Sequence, residues 1–386
     1  MMKRLVITVL GGVIGLALLV AAGCRDSLSD MPRGTAVLNA NEVELRIGLN
    51  VPGNFQSGLR AISDADERAI QSINVLVFKV DPGMVEEPTF MYSKPGTLWG
   101  ANKDTLVVIV ETMYDTLQQF VVITNVDAEI INLLQTDRRG ASKSDLLAQL
   151  QVSLNEGEQW NVDATKFKAL PMWGESVPAV ITQENGSIHG IDGDDDSPIK
   201  LLRMVARINV KVTGIALFTP NKFKLDSVYL FNSNTAGLIV PNTANVNRNA
   251  GGEVYVIAPS IPPGLEMKRG KDAYIVYPAS DDSLVNTIYT FESASIANNA
   301  SDSATCVVIG GRFNGGTISY YRVDFADGSG NYFPILRNYQ YNINITDVIA
   351  RGYETLEEAF GAKSVNIATD DITPWEKEEQ NEELDL

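Results

Sequence analysis

The stretch Glu42-Val43-Glu44-Leu45-Arg46-Ile47-Gly48-Leu49-Asn50-Val51 decides the fold. Val43, Leu45, Ile47, Leu49 and Val51 occupy alternate positions with Glu44, Arg46 and Asn50 between them, which is the period of a strand with one buried face. Pro52-Gly53 ends it, and a loop over 54–60 leads to Ser63-Asp64-Ala65-Asp66-Glu67. Ser63 is placed to cap a short helix reaching about Ile70, and the acids suit its first turn. Residues 73–80 are apolar without alternation and read as a strand buried on both faces.

Farther along, 106–111 and 120–124 are strand-like, whereas 128–134 and 144–150 space their apolar residues as helices do. A linker over 183–198 carries Asn, Gly, Ser, Pro and four Asp. The sequence resumes as one apolar strand over 199–212, with Arg203 and Arg207 interspersed. Short β-branched or aromatic runs then follow at 223–231, 253–258, 273–277, 287–291, 305–313, 317–325 and 339–348, separated by Gly, Asn, Asp and Pro. Many strands and few helices predict a mainly β chain of two antiparallel β-sandwich domains with a few short helices on the connections. The pattern restarts at Phe223, which puts the boundary near 213–220.

Upstream of the first strand, Lys3 and Arg4 precede an apolar run from Leu5 to Val20, and Ala21-Ala22-Gly23 closes it with small residues. This is the layout of an export signal over residues 1–23. Small residues directly before Cys24 resemble a bacterial lipobox, in which that Cys is acylated and anchors the mature chain through its lipid. The polar stretch to Arg33 reads as a tether.

Composition narrows the function classes. The 386 residues carry 31 Lys plus Arg against 48 Asp plus Glu, a formal charge of -17, which opposes nucleic acid as a partner. With 45% hydrophobic and 20% charged residues the chain has the material for real cores. One His and two Cys remove most Cys/His metal sites and Ser/His/Asp triads, so no catalytic centre, metal or cofactor is expected. His189 lies in the polar linker, and Cys306 sits in an apolar run as a buried structural thiol. Asp192 and Asp194 to Asp196 lack the Gly and Glu positions of a calcium loop. Residues 310–316 have the glycines of a phosphate loop but no helix start, and read as a hairpin connection. Trp99, Trp173, Tyr320 and Tyr321 offer a sugar-stacking surface or, more plainly, core aromatics.

In order along the chain, the lipobox Cys24, the alternating strand, Leu59-Arg60-Ala61 followed by Asp64-Ala65-Asp66-Glu67, and Ile73-Asn74-Val75-Leu76-Val77-Phe78 resemble a Bacteroidetes-type fimbrillin, the type V pilins. Leu170-Pro171-Met172-Trp173-Gly174-Glu175, the Arg-bearing segment Leu202 to Val210, Tyr320-Tyr321-Arg322-Val323-Asp324-Phe325, Leu336 to Ile345 and the ending Val365-Asn366-Ile367 to Pro374-Trp375 extend the resemblance over nearly the whole chain.

The resemblance implies two transthyretin-like sandwiches, a lipoprotein precursor at the outer membrane, and an extracellular Arg-specific protease that removes the N-terminal segment with its first strand. It also implies polymerisation by strand exchange with other pilin subunits in a cell-surface fimbrium that supports adhesion. Cleavage is expected after Arg60, before Ala61, in a loop rich in Asn, Gln, Ser and Gly. Arg46 lies inside the strand, and cutting at Arg33 would leave the strand attached. The displaced strand is then Val43, Leu45, Ile47, Leu49 and Val51, and the replacing donor is Val365, Ile367 and Thr369 with Ile372 and Trp375 beyond. The competing reading makes 365–375 this domain's own edge strand.

The expected organisation is 1–23 signal peptide, 24–60 tether and removable strand, 61–215 first sandwich, 216–375 second sandwich with donor segment 364–375, and 376–386 an acidic tail. The rival function is a surface lipoprotein that binds glycan or another ligand without polymerising.

Overall fold

A computed structural model describes residues 38–51, 64–81, 87–100, 104–160, 168–182, 187–188, 198–248, 254–266, 268–280, 282–295, 301–326, 331–362 and 371–374. All lie in the unit Thr35–Leu386. The signal sequence and Cys24 fall outside the described residues, as do Arg60, Ala61, Ser63, His189 and the Asp192 to Asp196 loop.

Glu42–Asn50 forms the predicted strand. It runs antiparallel to Thr105–Glu111, from Glu42 opposite Glu111 to Gly48 opposite Thr105. Its other side meets two short parallel strands, Ser187–Ile188 and Ile199–Lys200. The facing sheet orders Leu202–Arg203, Met172–Glu175, Leu117–Thr124, Ile73–Val80 and Thr89–Pro95. One core fills the space between these sheets, with Leu45, Ile47, Val75, Val77, Leu106, Val108, Phe120 and Val122 among its members.

Ile73–Val80 is buried on both faces for a visible reason. Val75 and Val77 point into that core, whereas Leu76 and Phe78 enter a second core under the helices Asp127–Leu133 and Lys143–Leu147, packed with Ile130, Leu133, Leu146 and Leu147. Ser142 caps the second helix by accepting from the Asp145 backbone N–H at 3.2 Å.

In the second sandwich, one sheet orders Ser283–Thr290, Ala206–Val212, Tyr339–Ile345 and Asp371–Pro374, and the other Tyr274–Pro278, Phe223–Phe231, Cys306–Phe313 and Ile318–Asp324. Their inner faces share a core that includes Ile208, Val210, Leu225, Val228, Val307, Ile309, Tyr341 and Ile343. Pairing is antiparallel except between Ala206–Val212 and Tyr339–Ile345, which run parallel. Helix Leu356–Gly361 covers part of the outer face, and Phe360 stacks on Phe231 at 4.5 Å. The 310–316 segment is a strand end and hairpin turn, with Asn314 and Gly315 at positive φ.

Three expectations are corrected. The single strand over 199–212 is three, Ile199–Lys200, Leu202–Arg203 and Ala206–Val212, because the chain crosses there from one sandwich to the other. Ala206–Val212 pairs only within the second sandwich, so a boundary at 215/216 leaves that strand on the wrong side, and the crossover lies near 203–206. The short helix spans Asp64–Glu67 and does not reach Ile70.

Candidate functional site: the seat of the first strand

Leu45 and Ile47 are 0% exposed, and Val43 and Leu49 are nearly as deep. Leu106, Val108 and Val110 flank them, and Val75, Val77, Phe120, Val122 and Met172 lie in the same core. Full burial is worth roughly 1.5–3 kcal/mol per such side chain, so the four together contribute roughly 6–12 kcal/mol. That is comparable to the net stability of a whole domain, about 5–15 kcal/mol. The first sandwich therefore depends on having an apolar strand in this seat. Backbone bonds add to the attachment: Leu49 N–H donates to the Asp104 carbonyl at 2.7 Å, and Leu201 N–H to the Asn50 carbonyl at 2.8 Å.

On the opposite face, Arg46 is buried and its Nη2 lies 3.1 Å from Glu44 Oε1. A protease must extend its substrate, and this arginine is laddered on both sides. Arg60 belongs instead to the stretch between Val51 and Asp64, outside the described residues.

Downstream of that stretch the chain is pinned. Glu67 is buried at the junction of the sandwiches, where its Oε1 and Oε2 each accept from Arg207 Nη1 at 2.8 Å and Oε1 also accepts from Tyr289 Oη at 2.5 Å. Arg203 Nε donates to the Glu67 carbonyl at 3.2 Å, and Arg207 Nη2 to Gln340 Oε1 at 2.5 Å. Burial first, and then the Glu67 charge, push the Tyr289 hydroxyl well above its ordinary pKa, so it stays a donor. Removing the first strand would leave this anchor in place. Sequence reading saw Glu67 only as a helix-start acid. The usable signal was Arg203 and Arg207 inside an apolar run, since a buried guanidinium requires a buried counter-charge.

A second buried pair closes the same junction. Arg337 donates from Nε and Nη2 to Glu292 Oε2 at 2.8 and 2.7 Å, and from its Nη groups to the Ile239 and Leu238 carbonyls at 2.8 Å each. Glu292→Ala should therefore cost about 3–5 kcal/mol by stranding a buried cation. Urea unfolding measures this as a lower midpoint, and a loss under about 1 kcal/mol would show the pair to be dispensable.

Of the donor residues, Ile372 lies in Asp371–Pro374, which pairs antiparallel with Tyr339 to Asn342 of its own chain. Val365, Ile367, Thr369 and Trp375 fall outside the described residues. The aromatic quartet is not one surface: Trp173 and Tyr321 are buried in different cores, Trp99 is on an edge strand, and Tyr320 packs against Tyr229 at 5.9 Å. Cys306 is fully buried, which pushes its thiol up to about 12. Among the described residues no group of three or more His, Cys, Asp or Glu is arranged to hold a metal, and no helix is long and apolar enough to cross a membrane.

No family model matches the sequence. The major fimbrium tip subunit FimE of Porphyromonas gingivalis is 24% identical over 208 residues, 53% of this chain and 34% of that protein. The match thus spans about a third of the curated relative's length. Among solved structures, the tip fimbrial protein Mfa3 of Porphyromonas gingivalis, truncated at its C-terminus, superposes with a TM-score of 0.48 at 16% identity, covering 78% of this chain and 94% of that one. A fimbrial assembly protein from Parabacteroides distasonis gives 0.39 at 15% identity, covering 79% and 92%. The motifs in their order along the chain and the fimbrium-subunit relative together support a fimbrillin-like protein.

Proposed function

We propose that this chain is a structural subunit of a cell-surface fimbrium, exported as a lipoprotein acylated at Cys24 and held first at the outer membrane. An extracellular Arg-specific protease cuts after Arg60, and the subunit then assembles with other pilin subunits by strand exchange to support adhesion. The observation that carries this reading is the seat of Glu42–Asn50, a deep apolar slot filled by a strand whose only covalent link to the fold runs through the Arg60 stretch. A vacated slot exposes unpaired backbone groups beside apolar side chains, and an incoming strand satisfies both at once. The donor is the segment Val365, Ile367, Thr369, Ile372 and Trp375 of a neighbour. A two-domain division with its crossover near 203–206 and the acidic tail over 376–386 belong to the same proposal.

A second reading makes the chain a terminal subunit, accepting a strand but giving none. The pairing of Asp371–Pro374 with its own sheet favours it, and the sequence relative is named a tip subunit.

Acylation is tested with Cys24→Ser, which should abolish palmitate labelling and membrane retention of the precursor. Unchanged labelling would remove the lipoprotein step.

A further inference from the structure

We propose that the far pole of the second sandwich docks a second copy of this chain, meeting the far pole of that copy's first sandwich; this rests on the self-assembly reading above. Ala206–Val212 and Tyr339–Ile345 run in parallel away from the junction and end together at this pole. The segments that follow them are tied to each other: Thr213 N–H donates to the Ile345 carbonyl and Ala216 N–H to the Thr346 carbonyl, both at 2.9 Å, and Asn221 Nδ2 reaches Asp347 Oδ1 at 2.5 Å. The 3-10 turn Gly214–Leu217 is thereby fixed with Ala216 buried and its neighbours turned outward. Ile215 and Leu217 are exposed, with Phe218 at 68% and Ile349 at 83%. Single exposed apolar side chains are ordinary, but four on two mutually bonded loops are the composition of a contact surface.

Charge points to the kind of partner. Lys224 and Arg312 sit directly opposite each other on paired strands, both exposed, with Lys222 two residues upstream and Arg351 on the neighbouring loop. Like charges directly opposite destabilise a sheet. Among the described residues none of these four cations forms an ion pair; of the acids at this pole, Asp347 is engaged by Asn221 and Asp282, whose carbonyl accepts from Val212 N–H, has its Oδ1 buried. In a chain of net charge -17, a cationic cluster with apolar tips is complementary to the chain's own acidic surface.

The first sandwich presents such a surface at its opposite end. The turn after Thr105–Glu111 projects Tyr114, 99% exposed, beside Asp115 and close to Glu111. Among the described residues at that end, Asp81 is held by Lys79 at 2.7 Å, Asp115 is exposed, and half-buried Glu111 sits directly opposite Glu42, whose Oε1 lies 3.7 Å from Lys94 Nζ. Joining unlike poles is a heterologous contact, and such a contact repeats into a filament, as strand exchange requires.

Cross-linking tests the contact apart from strand exchange. Fibres of the double variant Phe218→Cys, Tyr114→Cys should give a disulfide-linked ladder on oxidation, which neither single variant gives. Buried Cys306 does not compete. Fibres of normal length without the ladder would overturn pole docking while leaving strand exchange intact. If the double variant forms no fibres, the uncleaved single variants are mixed and oxidised at low salt. Mixed dimers should then exceed self-dimers several-fold, and Lys224→Glu with Arg312→Glu should erase the excess; equal yields would overturn the proposal.

Discussion

Arg60→Ala is expected to stall the chain as a lipidated precursor that forms no fibres. A protease pocket built to hydrogen-bond a guanidinium rejects a side chain lacking it by about 10⁴-fold. The alternatives upstream do not rescue processing. Arg46 is buried in a strand bonded on both sides, and a cut at Arg33 leaves Glu42–Asn50 attached and the slot full. An intramolecular strand faces an effective concentration no free donor matches, so uncleaved chains should stay monomeric. Immunoblots of whole cells should show one band at precursor size, and electron microscopy should show bare surfaces. Fibres of normal length on the Arg60→Ala strain would mean that either another bond is cut or the first strand is never displaced.

Deleting residues 364–386 should have an equally large effect on assembly and a small one on the fold. The truncated chain loses the edge strand Asp371–Pro374 but keeps Tyr339–Ile345 bonded to Ala206–Val212, and the second core draws its named members from residues before 364. A domain of this size shifts its melting point by about 2–4 °C per kcal/mol, so a drop of a few degrees is expected. Processing at Arg60 should proceed, giving monomers with an open slot that cannot supply a strand to another copy. Under the terminal-subunit reading the same deletion leaves incorporation into mixed fibres intact. Co-expression with full-length chains separates the two readings, because a donor-less copy then appears only at one end of a fibre.

Much of this architecture was legible in the residues, for physical reasons that differ by element. The first strand read correctly because one face of it is buried and the other is not, and period-two alternation records that asymmetry. Ile73–Val80 read correctly as doubly buried, although the helices covering its outer face were separate predictions that only the fold brings over Leu76 and Phe78. The run over 199–212 misled because continuous apolarity reports burial without saying in which core. Here successive residues serve three: Ile199 and Leu201 the first sandwich, Leu202 to Val205 the junction, and Ala206 onward the second sandwich. Helix Leu356–Gly361 was missed because six residues are too few for a periodicity signal, yet its capping box, Thr355 with Glu358, was present in the sequence. The anchor at Glu67 depends on partners 136 to 222 positions away, a relation that no local pattern encodes.

The central claim is that the strand seated against Thr105–Glu111 belongs to a different molecule after assembly. A reconstruction of isolated fibres at side-chain resolution tests it directly. The density antiparallel to Thr105–Glu111 should trace to the 365–375 segment of a neighbouring chain, with Val365 and Ile367 in the positions left by residues of Glu42–Asn50, and the subunit should begin at Ala61. Density there that is continuous with the subunit's own Val51, with Glu42–Asn50 still in place, would contradict the account.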